Sequence, residues 1–233
     1  MKKIFVTRKL LKENEEKLKE LFDAKLNPND QIYTAKEIID GSKDFDGILS
    51  SVTDPINSDT ISKLSSSIKI IANGAVGFGN IDIKAAKEKK IVVTNTPDVL
   101  TDATADIQIL LLLGASRKAY EGRIAAETQS WKWSWDFLLG KQMSNKRLGI
   151  LGMGRIGKAI AKRGNLGFGM PVLYYNRSEV SNEGLQNSRQ VKSLDDLLFN
   201  ADIIVVSLPG GPETYHLIDN KSFKKMKSTS ILI

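Results

Sequence analysis

The segment Leu148–Gly157, with the sequence LGILGMGRIG, constrains the fold more than any other part of the chain. A short apolar run leads into three glycines with the spacing G-x-G-x-x-G: Gly152, Gly154 and Gly157. Apolar residues with helical spacing follow, so the pattern predicts a strand, a tight turn and a helix. In that context the glycines allow the turn, the approach of a pyrophosphate and close helix–strand packing. The segment therefore predicts a dinucleotide site at the start of the helix.

The amino-acid composition argues against several classes of protein. The 233 residues suffice for two modest domains. Cysteine is absent, which excludes disulfides and thiolate metal sites, and we predict no metal site. The net charge of +7 comes from lysine and arginine spread along the chain, without a basic stripe interleaved with aromatics. We therefore expect a lysine-rich surface that suits anionic ligands and no nucleic-acid partner.

Two apolar stretches of the sequence resemble membrane-targeting or membrane-spanning segments, but both are too short for those roles. The N-terminal stretch after Lys2 and Lys3 ends at Arg8, which is too short for a signal peptide. The longest apolar run, residues 107–115, is interrupted by Gln108 and predicts a buried helix. We expect a cytoplasmic protein without a membrane partner.

Short apolar strands alternate with helical segments, which is typical of α/β proteins with doubly wound parallel sheets. The predicted strands span residues 4–6, 46–50, 68–72, 91–94, 148–151, 172–175, 203–207 and 230–233. Residues 11–22 predict an amphipathic helix, and residues 101–122 a long helix capped by Thr101 or Asp102. A break at residues 95–97 predicts two domains, 1–98 and 99–233. The last strand is apolar and stops inside its run, which favours a truncated chain over a terminal edge strand.

In a Rossmann unit, the residue that ends the second strand, about 20 positions after the glycines, distinguishes the ribose of NAD from that of NADP. An acidic residue there would accept a hydrogen bond from the 2′-hydroxyl of NAD. Here residues 172–175 are followed by Asn176, Arg177 and Ser178. Since a guanidinium pairs well with a phosphate, we predict NADP rather than NAD. The alternative is a solvated Arg177, with Glu179 supplying the carboxylate.

A second glycine-containing turn, residues 73–82 (NGAVGFGNID), follows a strand of the first domain. Backbone amides in such a turn can form an anion site that suits a substrate carboxylate. A tight strand–helix connection capped by Asn80 or Asp82 explains the pattern equally well.

Five motifs occur together in one order: Asn73–Asp82, Thr94–Asp102, Trp131–Trp135, Gly149–Gly157 and Tyr174–Arg177. Over essentially the whole chain they resemble the D-isomer-specific 2-hydroxyacid dehydrogenases, and within that family the glyoxylate/hydroxypyruvate reductases. The resemblance implies a flavodoxin-like substrate domain and a Rossmann cofactor domain. It also implies reduction of a small 2-keto acid by hydride from a nicotinamide cofactor.

The resemblance assigns roles to residues of both predicted domains. The backbone amides of Val76 and Gly77 would bind the substrate carboxylate. The remaining residues would contact the cofactor: Gly154, Arg155 and Ile156 at the pyrophosphate, Asn176, Arg177 and Ser178 at the ribose and its phosphate, and Leu208, Pro209, Thr214 and Thr104 elsewhere. The loop Leu208–Pro212 departs from the usual Pro-Leu-Thr-Pro of the family.

The family's chemistry further requires an arginine, a glutamate and a histidine. The resemblance places all three downstream of Ile233, so we predict no catalytic residue within residues 1–233 and little activity from this chain alone. His216, the one histidine of the sequence, is assigned to loop packing. A dinucleotide-sensing corepressor, or an inactive fragment, is the alternative.

The tryptophan segment has two interpretations. Trp131, Trp133 and Trp135 could fill a core or form an interface. By resemblance, the long helix and the arm after it build a homodimer contact, and aromatic residues suit such contacts. We favour the homodimer.

Overall fold

The computed structural model describes residues 1–182 and 184–233 and contains two compact units, Met1–Val99 and Leu100–Ile233. Each unit is built on a five-stranded sheet in which every paired strand runs parallel to its neighbour. Helices connect most of the successive strands, which suits the long crossover that parallel pairing requires. The α/β class with two parallel sheets is thus confirmed.

The sheet of the first unit has the order β2-β1-β3-β4-β5, which is the flavodoxin-like order. Its strands are β1 (Lys3–Val6), β2 (Asp23–Lys25), β3 (Gly47–Ser50), β4 (Ile70–Asn73) and β5 (Val92–Thr94). Its helices are α1 (Lys12–Leu21), α2 (Ala35–Gly41), α3 (Ser58–Lys63) and α4 (Ile83–Glu88). An isoleucine-rich core, with Ile38, Ile48 and Ile71 fully buried, holds sheet and helices together.

The sheet of the second unit has the order β10-β9-β6-β7-β8, which is the Rossmann order when counted from β6. Its strands are β6 (Leu148–Leu151), β7 (Val172–Tyr175), β8 (Arg189–Gln190), β9 (Ile203–Val206) and β10 (Ile231–Leu232). Its helices are α5 (Thr101–Ser116), α6 (Ala119–Thr128), α7 (Arg155–Lys162), α8 (Leu194–Asn200) and α9 (Asn220–Lys225). All four residues of β6 are buried at the centre of this sheet. Ligands bind such sheets where the strand order reverses, which here is the edge between β6 and β9.

The eight predicted strands are all present, with ends shifted by at most two residues. Two further strands, β2 and β8, escaped prediction because they are short, polar edge strands. A strand forms an unbroken apolar run only where both of its faces are buried, and neither of these two edge strands contains such a run.

The predicted helix over residues 101–122 begins where expected, at Thr101, but its predicted end and its predicted cap are wrong. The chain leaves the helix at Arg117, and Lys118 adopts a left-handed conformation with φ 53° before α6 begins. Leu100 is the N-cap residue and provides no side-chain cap, so neither Thr101 nor Asp102 caps the helix. Asp102 instead pairs with Arg163 at the end of α7, at 3.0 Å.

The prediction of a buried helix over residues 107–115 holds for one face only. Leu112 is fully buried, whereas Ile107 and Leu110 are 54% and 62% exposed. In the first unit, the apolar side of α1 is only partly covered, since Leu18 is half-buried, Leu21 is exposed and no residue of that helix is buried. None of the helices in the described part of the chain is both long and apolar enough to span a bilayer.

Gly164 lies in a π-helical turn, Arg163–Gly167, that extends α7. A Cβ at Gly164 would lie 2.5 Å from Cδ2 of the buried Leu148 on β6. The helix therefore contacts the sheet at this position through a bare Cα. This contact explains why a residue that disfavours helices occurs there.

Candidate functional site

The glycine turn after β6 is shaped by two glycines and opened by the third. Gly152 has φ +97°, and a Cβ there would overlap the carbonyl oxygen of Ser207. A Cβ at Gly157 would overlap the carbonyl oxygen of Gly152, so this position also admits only glycine. A Cβ at Gly154, by contrast, would meet no atom within 4 Å. The turn thus leaves open space at the position where a pyrophosphate would approach the backbone.

Helix α7 begins at this turn. Gly154 is its N-cap residue, and no side chain caps the helix. The backbone amides of the first helical turn carry the positive end of the helix. Arg155 is exposed and Ile156 half-buried. An uncapped helix start beside a glycine-only turn fits the pyrophosphate of a dinucleotide.

Asn176 joins the end of β7 to the glycine turn. Its Oδ1 accepts a hydrogen bond from the Met153 amide at 3.2 Å, and its Nδ2 donates to the carbonyl oxygen of Ser178 at 3.1 Å. The Gly152 amide donates to the carbonyl oxygen of Tyr175 at 3.0 Å. These bonds fix the β7 loop relative to the turn, so Asn176 orients its neighbours in addition to any contact with a ligand.

Beyond Asn176 the chain lines an open groove between the β7 loop and β8. Arg177, Ser178 and Glu179 are all exposed in this groove. The buried side of the groove is closed by Tyr174, whose hydroxyl donates to the carbonyl oxygen of Val180 at 2.7 Å. Burial, and secondarily the charge of Glu179, raises the pKa of Tyr174, so this hydroxyl remains a donor at neutral pH.

Arg177 forms an ion pair with Glu213, which belongs to the loop after β9. The sheet order places β6 between β7 and β9. The pair therefore reaches across the carboxyl end of β6, over the strand that leads into the glycine turn. Sequence reasoning missed Glu213 because 36 residues separate it from Arg177 and only the strand order brings them together.

The loop after β9 also holds three of the predicted cofactor residues, Leu208, Pro209 and Thr214. Leu208 packs on the glycine turn, since a Cβ at Gly152 would lie 2.8 Å from its Cδ2. Thr214 is half-buried, and its hydroxyl donates to the carbonyl oxygen of Pro209 at 2.8 Å. His216 is exposed and stacks on the adjacent Tyr215, with ring centroids 3.9 Å apart.

Thr104 lies apart from this loop, in the first turn of α5. Its side chain is half-buried and its amide donates to the carbonyl oxygen of Leu100 at 2.9 Å. No side chain of the β7 or β9 loop contacts Thr104 through a hydrogen bond within the described residues.

In the first unit, the turn after β4 contains the predicted helix cap. Asp82 caps α4 by accepting a hydrogen bond from the Ala85 amide at 2.9 Å. Asn73 and Asn95 hold the turn from inside, through bonds of 2.8 Å to the carbonyl oxygens of Gly77 and Val76.

The amides of Val76 and Gly77 donate no hydrogen bond within the described part of the chain. Gly77 is exposed, and a Cβ there would meet no atom within 4 Å. Two adjacent backbone donors with open space beside them can accept an anionic group such as a carboxylate.

Comparison with known proteins agrees with this geometry. Residues 109–233 match the family model of the NAD binding domain of D-isomer specific 2-hydroxyacid dehydrogenases. The chain is 36% identical over 236 residues to a glyoxylate reductase of Pyrococcus horikoshii, covering 99% of this chain and 70% of that protein. It is 37% identical over 235 residues to a glyoxylate reductase of Korarchaeum cryptofilum, with the same coverage.

A solved structure extends the likeness to three dimensions. The crystal structure of a glyoxylate reductase from Paecilomyes thermophila superposes with a TM-score of 0.85 at 30% identity, covering 99% of this chain and 72% of that one. The chain therefore belongs to the D-isomer-specific 2-hydroxyacid dehydrogenase family. Its activity class is that of a 2-hydroxyacid dehydrogenase, and its cofactor class is a nicotinamide dinucleotide. The family resemblance drawn from the sequence is confirmed.

Proposed function

We propose that the chain uses NADPH, rather than NADH, to reduce a small 2-keto acid such as glyoxylate or hydroxypyruvate. The observation that carries the cofactor choice is the end of β7, where Arg177 is exposed in the groove and Asn176 replaces the carboxylate that would hold a free 2′-hydroxyl. The glyoxylate reductases among the relatives support the substrate class.

Each part of the site then has a task. The backbone from Gly154 to Ile156 holds the pyrophosphate, and Arg177 with Ser178 holds the ribose phosphate. The amides of Val76 and Gly77 bind the carboxylate of the keto acid. The bound nicotinamide supplies a hydride to the carbonyl carbon, and a proton must reach the carbonyl oxygen to give the 2-hydroxy acid.

The residues that would deliver that proton are, we infer, not among these 233. The family assigns the task to a histidine, and His216 is exposed and stacked on Tyr215 in the β9 loop. This chain should therefore bind the cofactor yet oxidise NADPH only slowly when glyoxylate is added. Fast turnover that disappears in His216→Ala would overturn this assignment.

Cofactor titration tests the central proposal. The dissociation constants of NADPH and NADH are measured by quenching of tryptophan fluorescence for the natural chain and for Arg177→Ala. Because Arg177 is exposed, we expect an effect at the low end of charged hydrogen bonds, about tenfold weaker NADPH binding (~1.4 kcal/mol). NADH binding should change by less than about twofold, a difference of ~0.4 kcal/mol.

Arg123→Ala is the matched control, because Arg123 is an exposed arginine paired with Glu127 on α6. It should leave both dissociation constants unchanged. A preference for NADH that survives in Arg177→Ala would show that this protein uses NAD.

We also propose that the chain assembles as a homodimer through α5, α6 and the segment that follows them. The exposed apolar side chains of this region are Ile107, Leu110, Leu111, Tyr120, Trp131, Trp133 and Trp135. Each of the three tryptophans is at least half exposed, which supports an interface role over a core role. A run of exposed apolar side chains on adjacent elements is typical of a protein interface.

A further inference from the structure

The Arg177–Glu213 ion pair is built from two loops that flank the glycine turn. Both side chains are largely exposed, at 86% for Arg177 and 77% for Glu213. An ion pair this exposed is weak and exchanges readily with other charged partners. Arg177 is nevertheless the residue that binds the ribose phosphate in the proposed function.

The position of Glu213 is set by the β9 loop rather than by the ion pair. The hydroxyl of Thr214 donates to the carbonyl oxygens of Pro209 and Gly211, at 2.8 and 3.2 Å. The Thr214 amide donates to the same Gly211 oxygen at 3.1 Å. These bonds close residues 209–214 into a compact turn, which presents Glu213 toward the β7 loop.

From this arrangement we propose that Glu213 is a specificity-determining residue, which competes with the ribose 2′-phosphate for Arg177 and so lowers the preference for NADPH over NADH. The inference rests on the proposed function of Arg177. A guanidinium presents a fixed fork of donors, and one anion at a time can use its outer edge fully. A phosphate carries more charge than a carboxylate and displaces it, but the two anions then repel each other at close range.

The expected effect follows from this competition. Glu213→Gln removes one anion and releases the guanidinium, so ligands with a 2′-phosphate should bind more tightly. Exposed ion pairs of this kind correspond to a change of about two- to fivefold in affinity. Ligands without the phosphate gain nothing, because they do not use Arg177.

Two adenosine nucleotides that differ only in the 2′-phosphate test the proposal without turnover. Binding of adenosine 2′,5′-bisphosphate and of 5′-AMP is measured by calorimetry for the natural chain, Glu213→Gln, Arg177→Ala and the double variant. Glu213→Gln should bind the bisphosphate about two- to fivefold more tightly at low salt and 5′-AMP equally well. The gain should shrink at 0.5 M salt, since exposed charges are screened.

The double variant decides the mechanism. In the Arg177→Ala background, Glu213→Gln should increase the affinity for the bisphosphate little or not at all, because no guanidinium remains for the two anions to compete for. An unchanged or weaker bisphosphate affinity in Glu213→Gln would overturn the proposal, as would an equal gain without Arg177. Glu16→Gln controls for net charge, because it removes an exposed carboxylate that pairs with Lys12 on α1. This variant should change neither affinity.

The outcomes separate this inference from the proposed function. If the natural chain binds the bisphosphate no more tightly than 5′-AMP, and Arg177→Ala changes nothing, NADPH specificity through Arg177 fails. If Arg177→Ala weakens bisphosphate binding but Glu213→Gln leaves it unchanged, only the role of Glu213 fails.

Discussion

The Cα of Gly157 packs directly on the carbonyl oxygen of Gly152, five residues earlier, and this contact closes the glycine turn between β6 and α7. A Cβ at Gly157 would overlap that oxygen. Neither residue can move aside easily, because Gly157 lies in α7 and Gly152 directly follows β6. Gly154, between them, has open space around it. The three glycines of one motif thus serve two separable purposes, shape and access.

Alanine at Gly157 and at Gly154 should therefore have opposite signatures. Gly157→Ala should lower the free energy of unfolding by about 3 kcal/mol, the upper end of overpacking effects, because backbone must move. Gly154→Ala should change it by no more than about 1 kcal/mol, the difference expected at an N-cap, yet weaken NADPH binding about tenfold or more. Urea unfolding and fluorescence titration measure the two quantities. Unimpaired NADPH binding by Gly154→Ala would contradict the site.

Lys89 should stabilise the first unit more than an ordinary surface lysine does. Its Nζ donates to three carbonyl oxygens at the end of α3, those of Ile61, Ser62 and Leu64, at 2.8, 2.7 and 2.5 Å. A cation there satisfies carbonyls that the helix leaves unpaired. Lys89→Met should cost about 1.5–3 kcal/mol of unfolding free energy.

The exposed Lys87, in the last turn of α4, provides the control for that experiment, since Lys89 is the C-cap residue of the same helix. Lys87→Met should change the free energy of unfolding by less than about 0.5 kcal/mol, as surface substitutions usually do. Equal losses in the two lysine variants would show that the three hydrogen bonds contribute nothing specific.

Asp202 should make the second unit sensitive to acid. Burial acts to raise the pKa of Asp202, but hydrogen bonds from Lys227 Nζ at 2.7 Å and the Arg147 amide at 2.8 Å outweigh it, and the pKa lies below its usual value. A carboxylate with a lowered folded-state pKa stabilises the fold above its unfolded pKa of about 3.9. That stability is lost as the pH falls through the lower, folded-state pKa.

Urea unfolding between pH 2 and pH 6 measures the effect. The natural chain should lose more unfolding free energy below about pH 4 than Asp202→Asn, whose side chain does not titrate there. Parallel profiles for the two proteins would contradict the role of Asp202.

Leu110 should be part of the proposed homodimer interface. It is 62% exposed on the apolar side of α5. Leu110→Lys should raise the dimer dissociation constant about tenfold or more, since a buried ammonium at an interface core is costly. Sedimentation velocity over a range of concentrations measures this, with Phe199→Lys on α8 as a control at an equally exposed apolar position. A natural chain that sediments as a monomer at all concentrations would refute the interface.

Much of the fold could be predicted because its signals are local. The strands β6, β7 and β9 are buried on both faces, so each forms an unbroken apolar run. The glycine turn can be recognised in the sequence because the spacing of its glycines follows from backbone sterics alone. The end of α5 could not be read in the same way, since Ser116, Arg117 and Lys118 carry no glycine or proline to mark the break.

The sequence by itself therefore determined the alternation of strands and helices, the glycine turn and the missing carboxylate after β7. Only the tertiary structure decided which side of α5 is covered, which carbonyls Lys89 reaches, and that Glu213 meets Arg177. The reason is physical: periodicity and turn chemistry act over a few neighbouring residues, whereas these contacts depend on strand order, and strand order is fixed by the packing of the whole sheet.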